Sequence, residues 1–156
     1  MKRPKIVITG MGAMTPLGLT AQKFWEGLMA GQSGIGPMTL CDPTSFPCRI
    51  AGEVTGFDPV QYIDSKEARR MARFSQLAVA AALQAVEDAD LHIKTREVHR
   101  IGVLLGNGNG GFPTTEFGCR VLVGRGGMKV SPFFMPMILP NMAASNVSRI
   151  LGITGY

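Results

Sequence analysis

Apolar positions along the chain change period several times, and each change marks an element. A β-branched run from Lys5 to Thr9 stops at Gly10-Met11-Gly12, which predicts a buried strand followed by a tight turn. Thr20 then offers an N-cap to a helix that carries Phe24, Trp25, Leu28 and Met29 on one face and ends at Gly31. From Ser33 to Asp58 glycine and proline recur, and strand character is weak and confined to Arg49–Val54. That stretch predicts a long excursion with one short strand. Asp64 and Glu67 have capping-box spacing at the head of the strongest helical segment, which predicts one helix through Ala89. Its part from Leu77 to Val86 is apolar almost all round, as in a helix buried between layers.

Arg100–Leu105 repeats the strand pattern and is followed by the glycine-rich run Gly106–Gly111. Thr114 or Thr115 is the expected cap of a helix from Glu116 to about Val123, with a loop at Gly124–Gly127. Three prolines, Pro132, Pro136 and Pro140, prevent a regular helix throughout Ser131–Pro140. A last helix is predicted from Pro140-Asn141 to Gly152, with Ala143, Ala144 and Ser145 allowing close packing. Strand, excursion, buried helix and strand together predict an α/β layered fold. The chain stops straight after a helix, where such a pattern ordinarily supplies another strand, so a truncation is expected.

Composition narrows the chemistry. The 156 residues suffice for one domain with a core. A net charge of +5 tolerates an acidic partner without demonstrating one. The aromatic residues are not interleaved with basic ones, which argues against nucleic acid. Cys41, Cys48 and Cys119 form neither a disulfide framework nor a zinc spacing, and His92 and His99 lack a carboxylate at ligand spacing; no metal is expected. A reducing cytoplasm fits these thiols. The basic start Met1–Lys5 leads into an apolar run too short for a signal peptide, and no later run is long enough for a membrane span.

Three motifs have both a functional and a bland reading. Gly106, Gly108 and Gly111 satisfy a G-x-G-x-x-G pattern, but Pro113 follows almost at once and no carboxylate stands about 20 residues on, so a dinucleotide site is rejected. A flexible turn or a close backbone approach to a ligand remains. Lys66, Arg69, Arg70 and Arg73 gather at helical spacing on one flank, either as a solvated face or as a dock for an acidic partner. The Phe133–Ile138 run is either core or the wall of an acyl pocket.

In order along the chain, Val7–Gly18, the helix from Asp64, Gly106–Gly111 with Glu116, Val130–Pro136 and Pro140–Ala144 resemble the β-ketoacyl-[acyl-carrier-protein] synthases, type II condensing enzymes of the thiolase-like superfamily. The resemblance implies the N-terminal portion of such an enzyme, residues 1–156, an incomplete first half of a thiolase-like layered fold. The family joins an acyl thioester to malonyl-carrier protein with loss of CO₂, in fatty acid biosynthesis. Its cysteine nucleophile and two histidines come after the stretch matching Gly155-Tyr156, so no catalytic residue is assigned here and the isolated chain is expected to be inactive.

By the same resemblance Lys66, Arg69, Arg70 and Lys129 fall in the docking surface for acyl carrier protein. Asn109, Phe134 and Ile138 fall at the acyl pocket, which in the family lies against a homodimer interface. Asn109 departs from a usually apolar gate position, which predicts an altered chain-length preference. No cofactor is implied beyond the phosphopantetheine carried by the partner. The competing reading is a non-catalytic relative, of the chain-length-factor kind, that keeps the docking surface without the nucleophile.

Overall fold

The computed structural model describes residues 5–93 and 98–155; the start Met1–Pro4 and Tyr156 lie outside them. The chain forms two units. One takes the chain up to Asp58 together with Ala81–Leu91, and the other takes Pro59–Ala80 and the chain from His92 on.

In the first unit, helix α1 (Ala21–Met29) starts where the sequence predicts, with the Thr20 hydroxyl accepting from the Lys23 amide at 3.1 Å. Gly31, at φ +63°, follows its end. Strands β1 (Gly36–Pro37) and β2 (Ile50–Ala51) form a two-residue antiparallel pair, the one sheet among the described residues. Lys5–Thr9 does not pair. It runs extended with Ile6, Val7 and Ile8 exposed, because a β-branched run becomes a strand only when a neighbour supplies the ladder.

The segment after that run is held on the last turns of helix α3 (Arg73–Asp88). The Met11 amide donates to Asp88 Oδ2 at 2.8 Å, and the Ala13 amide to Gln84 Oε1 at 3.2 Å. Gln84 Nε2 in turn donates to the Leu19 carbonyl at 2.7 Å. Gly10 and Gly12 permit this approach, since a β-carbon at either would overlap the helix backbone at Ala85 or Ala81.

In the second unit the helix predicted from Asp64 through Ala89 is two helices. Asp64 caps α2 (Ser65–Ala68), its carboxylate accepting from the Lys66 and Glu67 amides, and the chain then turns before α3 begins. Burial explains the break. Met71 and Ala72 are both 3% exposed, and the turn puts both in the core. Gln76 Nε2 donates to the carbonyls of Ala68 and Met71, which have lost their helical partners. In α3, Val79 and Ala80 are buried, but residues 77, 78 and 81–86 are only half-buried, so the helix is not covered all round as its apolar pattern predicts.

Arg100–Leu105 is likewise not a strand. It follows a 3-10 turn, Val98–Arg100, in extended conformation with Leu104 exposed. Helix α4 (Phe112–Arg125) begins earlier than expected because Pro113 stands in its first turn, where the missing N–H costs nothing. Gly126, at φ +83°, ends it. Helix α5 (Phe134–Ile138) also tolerates Pro136 within its first turn. Helix α6 (Met142–Leu151) stops at Gly152 in the left-handed conformation, as predicted, and buries Ala143, Asn146 and Val147. No described helix is long and apolar enough to cross a membrane.

Candidate functional site: a basic-rimmed cavity beside helix α4

The site is built on α4. Gly118 is buried, and a β-carbon there would collide with the Phe134 ring. The missing side chain lets Phe134 of α5 lie against α4. Around this contact Phe117, Val121, Phe134 and Met137 line an apolar cavity of about 300 Å³. Arg69 and Lys129 stand among its lining residues, both exposed. Of the residues singled out from sequence, the structure therefore brings together Arg69, Lys129 and Phe134.

The other basic residues of the flank are differently placed. Lys66 is exposed on α2. Arg70 lies 3.9 Å from Glu67, and its guanidinium stacks over the Phe133 ring at 4.7 Å from the centroid. Glu67 also binds Arg149 of α6, through its other carboxylate oxygen. Arg149 further reaches Asn146 at 3.5 Å. Arg120 pairs with Glu116 one turn away on α4. Arg69, Lys129 and Lys66 have no carboxylate partner among the described residues.

Asn109 and Ile138 do not line this cavity. Asn109 is exposed on the glycine loop. That loop is fastened to the end of α5: Asn107 Nδ2 donates to the Pro140 carbonyl at 3.0 Å, and the Gly111 amide to the Ile138 carbonyl at 3.2 Å. A β-carbon at Gly111 would sit 2.8 Å from the Met137 carbonyl oxygen. Gly111, and Gly110 at φ +69° beside it, thus serve close packing against the backbone at the end of α5, a role that neither reading left open from sequence names.

The polar clusters elsewhere are structural. Glu53 accepts from the Thr39 hydroxyl at 2.6 Å and from the amides of Thr39 and Leu40, and these bonds hold its carboxyl below the usual glutamate range. Asp42 is lowered in the same way by the hydroxyl and amide of Thr44. The three cysteines are exposed and free. No described cluster of His, Cys, Asp or Glu has the makings of a metal site. Sequence reasoning named Met137 within the Phe133–Ile138 run but missed Phe117 and Val121, whose place beside it becomes visible only once Gly118 and Phe134 are seen to meet.

Comparison with known proteins finds relatives along nearly the whole chain. The chain is 44% identical over 155 residues to 3-oxoacyl-[acyl-carrier-protein] synthase 2 of Synechocystis sp., covering 99% of this chain and 37% of that one. It thus spans somewhat over a third of that relative's length. Among solved structures it resembles the ishigamide ketosynthase/chain length factor, with a TM-score of 0.85 and 27% identity, over 96% of this chain and 38% of that one. A type II polyketide ketosynthase solved with its acyl-carrier protein shares the fold, with a TM-score of 0.79 at 20% identity, over 96% of this chain and 40% of that one. The layered fold is therefore thiolase-like, and this chain supplies part of its N-terminal half. The family model for the β-ketoacyl synthase N-terminal domain matches residues 3–156, and the chain belongs to the β-ketoacyl synthase family.

Proposed function

We propose that this chain is the N-terminal part of a 3-oxoacyl-[acyl-carrier-protein] synthase serving fatty acid biosynthesis, ending before the cysteine nucleophile. The observation that carries the reading is the 44% identity to such a synthase along nearly the whole chain. In the complete enzyme a thiolate takes the acyl group from its carrier protein, releasing the carrier's thiol. Malonyl-carrier protein then loses CO₂, and the enolate attacks the acyl-cysteine to give a 3-oxoacyl thioester and free the cysteine again. The isolated chain is inactive in this reading, and Cys41, Cys48 and Cys119 take no part.

Lys66, Arg69, Arg70 and Lys129 form the docking surface for an acidic acyl carrier protein, which brings the only prosthetic group, phosphopantetheine. The exposed position of all four supports this role, as does the carrier-protein complex solved for a protein of the same fold. Asn109, Phe134 and Ile138 belong to the acyl pocket; the fastening of the glycine loop to Ile138–Pro140 supports their neighbourhood. Equal condensation rates across acyl lengths with Asn109 and with Asn109→Ile would remove the proposed role of Asn109 in chain-length preference. The complete enzyme is a homodimer, a reading supported by the exposed Phe112, Phe117 and Val123 of α4. Its compartment is the cytoplasm, in keeping with three free thiols.

A second reading rests on the match to a ketosynthase/chain length factor: a non-catalytic partner that keeps the docking surface. The test extends the chain to the full reading frame and supplies acyl- and malonyl-carrier protein. The extended protein is expected to release CO₂ and form the 3-oxoacyl product, and the 156-residue chain to do neither. An extended protein with another residue in place of the nucleophile, and no condensation, moves the assignment to the second reading.

A further inference from the structure

We infer that Asn109-Gly110 is a site of spontaneous deamidation, and that hydrogen bonds protect the neighbouring pair Asn107-Gly108 from the same reaction. Of the four asparagines in the chain, these two alone precede a glycine. An asparagine side chain is open to attack by the backbone nitrogen of the next residue, and glycine, without a β-carbon, obstructs that approach least. Asn141 is followed by Met142, whose amide donates to the Leu139 carbonyl at 3.0 Å, and Asn146 by Val147, inside α6.

Exposure does not separate the two candidates, since Asn107 and Asn109 are both exposed. Bonding does. The Asn107 side chain is held at both ends: Nδ2 donates to the Pro140 carbonyl at 3.0 Å, and Oδ1 accepts from the Gly110 amide at 3.4 Å. Its Cγ cannot swing onto the Gly108 nitrogen until both bonds open. The Asn109 side chain makes no hydrogen bond to any described residue. Its attacking nitrogen, that of Gly110, is restrained by the long bond to Asn107 alone.

The Gly110 nitrogen bonds to Asn109 Cγ and closes a cyclic imide. The Cγ–Nδ2 bond breaks, and ammonia leaves with the proton that the Gly110 amide gives up. Water then opens the imide at either carbonyl, leaving aspartate or isoaspartate, so a carboxylate replaces a neutral amide. Isoaspartate also routes the backbone through the side chain. That insertion falls beside Gly110, at φ +69°, and Gly111, whose amide is bonded to the Ile138 carbonyl, and it loosens the loop from α5. With Asn109 in the acyl pocket, as proposed above, the carboxylate would also put a charge there; that consequence rests on the pocket reading, and the modification does not.

The test incubates the protein of the full reading frame at mildly alkaline pH, with cooperative urea unfolding before and after to show that it stays folded. Fragmentation mass spectrometry reads the exchange of amide for acid at each asparagine. In the native protein Asn109 should convert about tenfold faster than Asn107 or more, the factor expected when two hydrogen bonds must open first. In urea the two should convert at similar rates. Asn109→Gln should remove the fast conversion, because the longer side chain must close a larger ring. Asn107 converting as fast as Asn109 in the native protein overturns the inference, and so does an Asn109 that stays intact there while it converts in urea. Conversion at Asn109 that leaves acyl-length preference unchanged removes the pocket reading and leaves this one standing.

Discussion

The two units of the chain are held together by different means. In the first, side chains bond directly to backbone: Asp88 and Gln84 to the segment Met11–Leu19, and Glu53 to Thr39 and Leu40. Its one buried large apolar residue among those described is Phe57. In the second, the buried apolar residues include Ile63, Met71, Val79, Val147 and Ile153. Directed polar bonds hold a turn-rich chain in one geometry without a large core, at the cost of exposing Ile6, Val7 and Ile8. The cavity lies in the unit that relies on apolar packing.

The comparison is broken most severely at Gly12. A β-carbon there overlaps the Ala81 carbonyl and stands 2.8 Å from the Ala85 amide nitrogen, so only a backbone shift can relieve it. Gly12→Ala is expected to cost about 3 kcal/mol, read from the urea midpoint, and to expose the Met11 and Ala13 amides to hydrogen exchange. Gly118→Ala tests the packed unit. Its new methyl meets the edge of the Phe134 ring, a side chain that can swing, so the cost should be smaller, about 1–2 kcal/mol. The same variant should reshape the cavity that Gly118 and Phe134 line.

The smallest effect lies at Glu53. Its carboxyl is held low chiefly by the Thr39 hydroxyl, then by the Leu40 and Thr39 amides. A lowered native value means the contribution is complete above the ordinary glutamate value of 4.5 and fades as pH falls below it. Exchange at the Thr39 and Leu40 amides should therefore accelerate below that pH relative to the intrinsic rate. Glu53→Gln should weaken that protection at neutral pH and remove its pH dependence, with little change in global stability, since these bonds lie at the surface.

Local chemistry was the legible part. Thr20, Asp64 and Gly152 are caps whose geometry depends on a few neighbouring residues, and each stands where its residue type predicts. The break after Ala68 was not legible, because it serves the burial of Met71 and Ala72, a fact of tertiary packing. Lys5–Thr9 and Arg100–Leu105 have strand composition, but a ladder needs partners that composition does not supply. The early start of α4 was hidden by reading Pro113 as a breaker when it stands in a first turn. At the site, helical spacing reveals the basic flank and the family resemblance adds Lys129. The cavity itself depends on Gly118 lying beneath Phe134, a contact between residues of two helices that no local pattern encodes.

The Glu67 carboxylate, shared by Arg70 and Arg149, divides the basic residues by the range over which they act. Lys66, Arg69 and Lys129 project unneutralised charge, felt across a Debye length of about 8 Å at physiological ionic strength. In the proposed docking role they would set how fast an acidic partner arrives, with salt slowing that arrival. Arg70, neutralised by Glu67 and seated on Phe133, contributes little to that long-range field. In the proposed docking role it would act only after contact, on how long the partner stays.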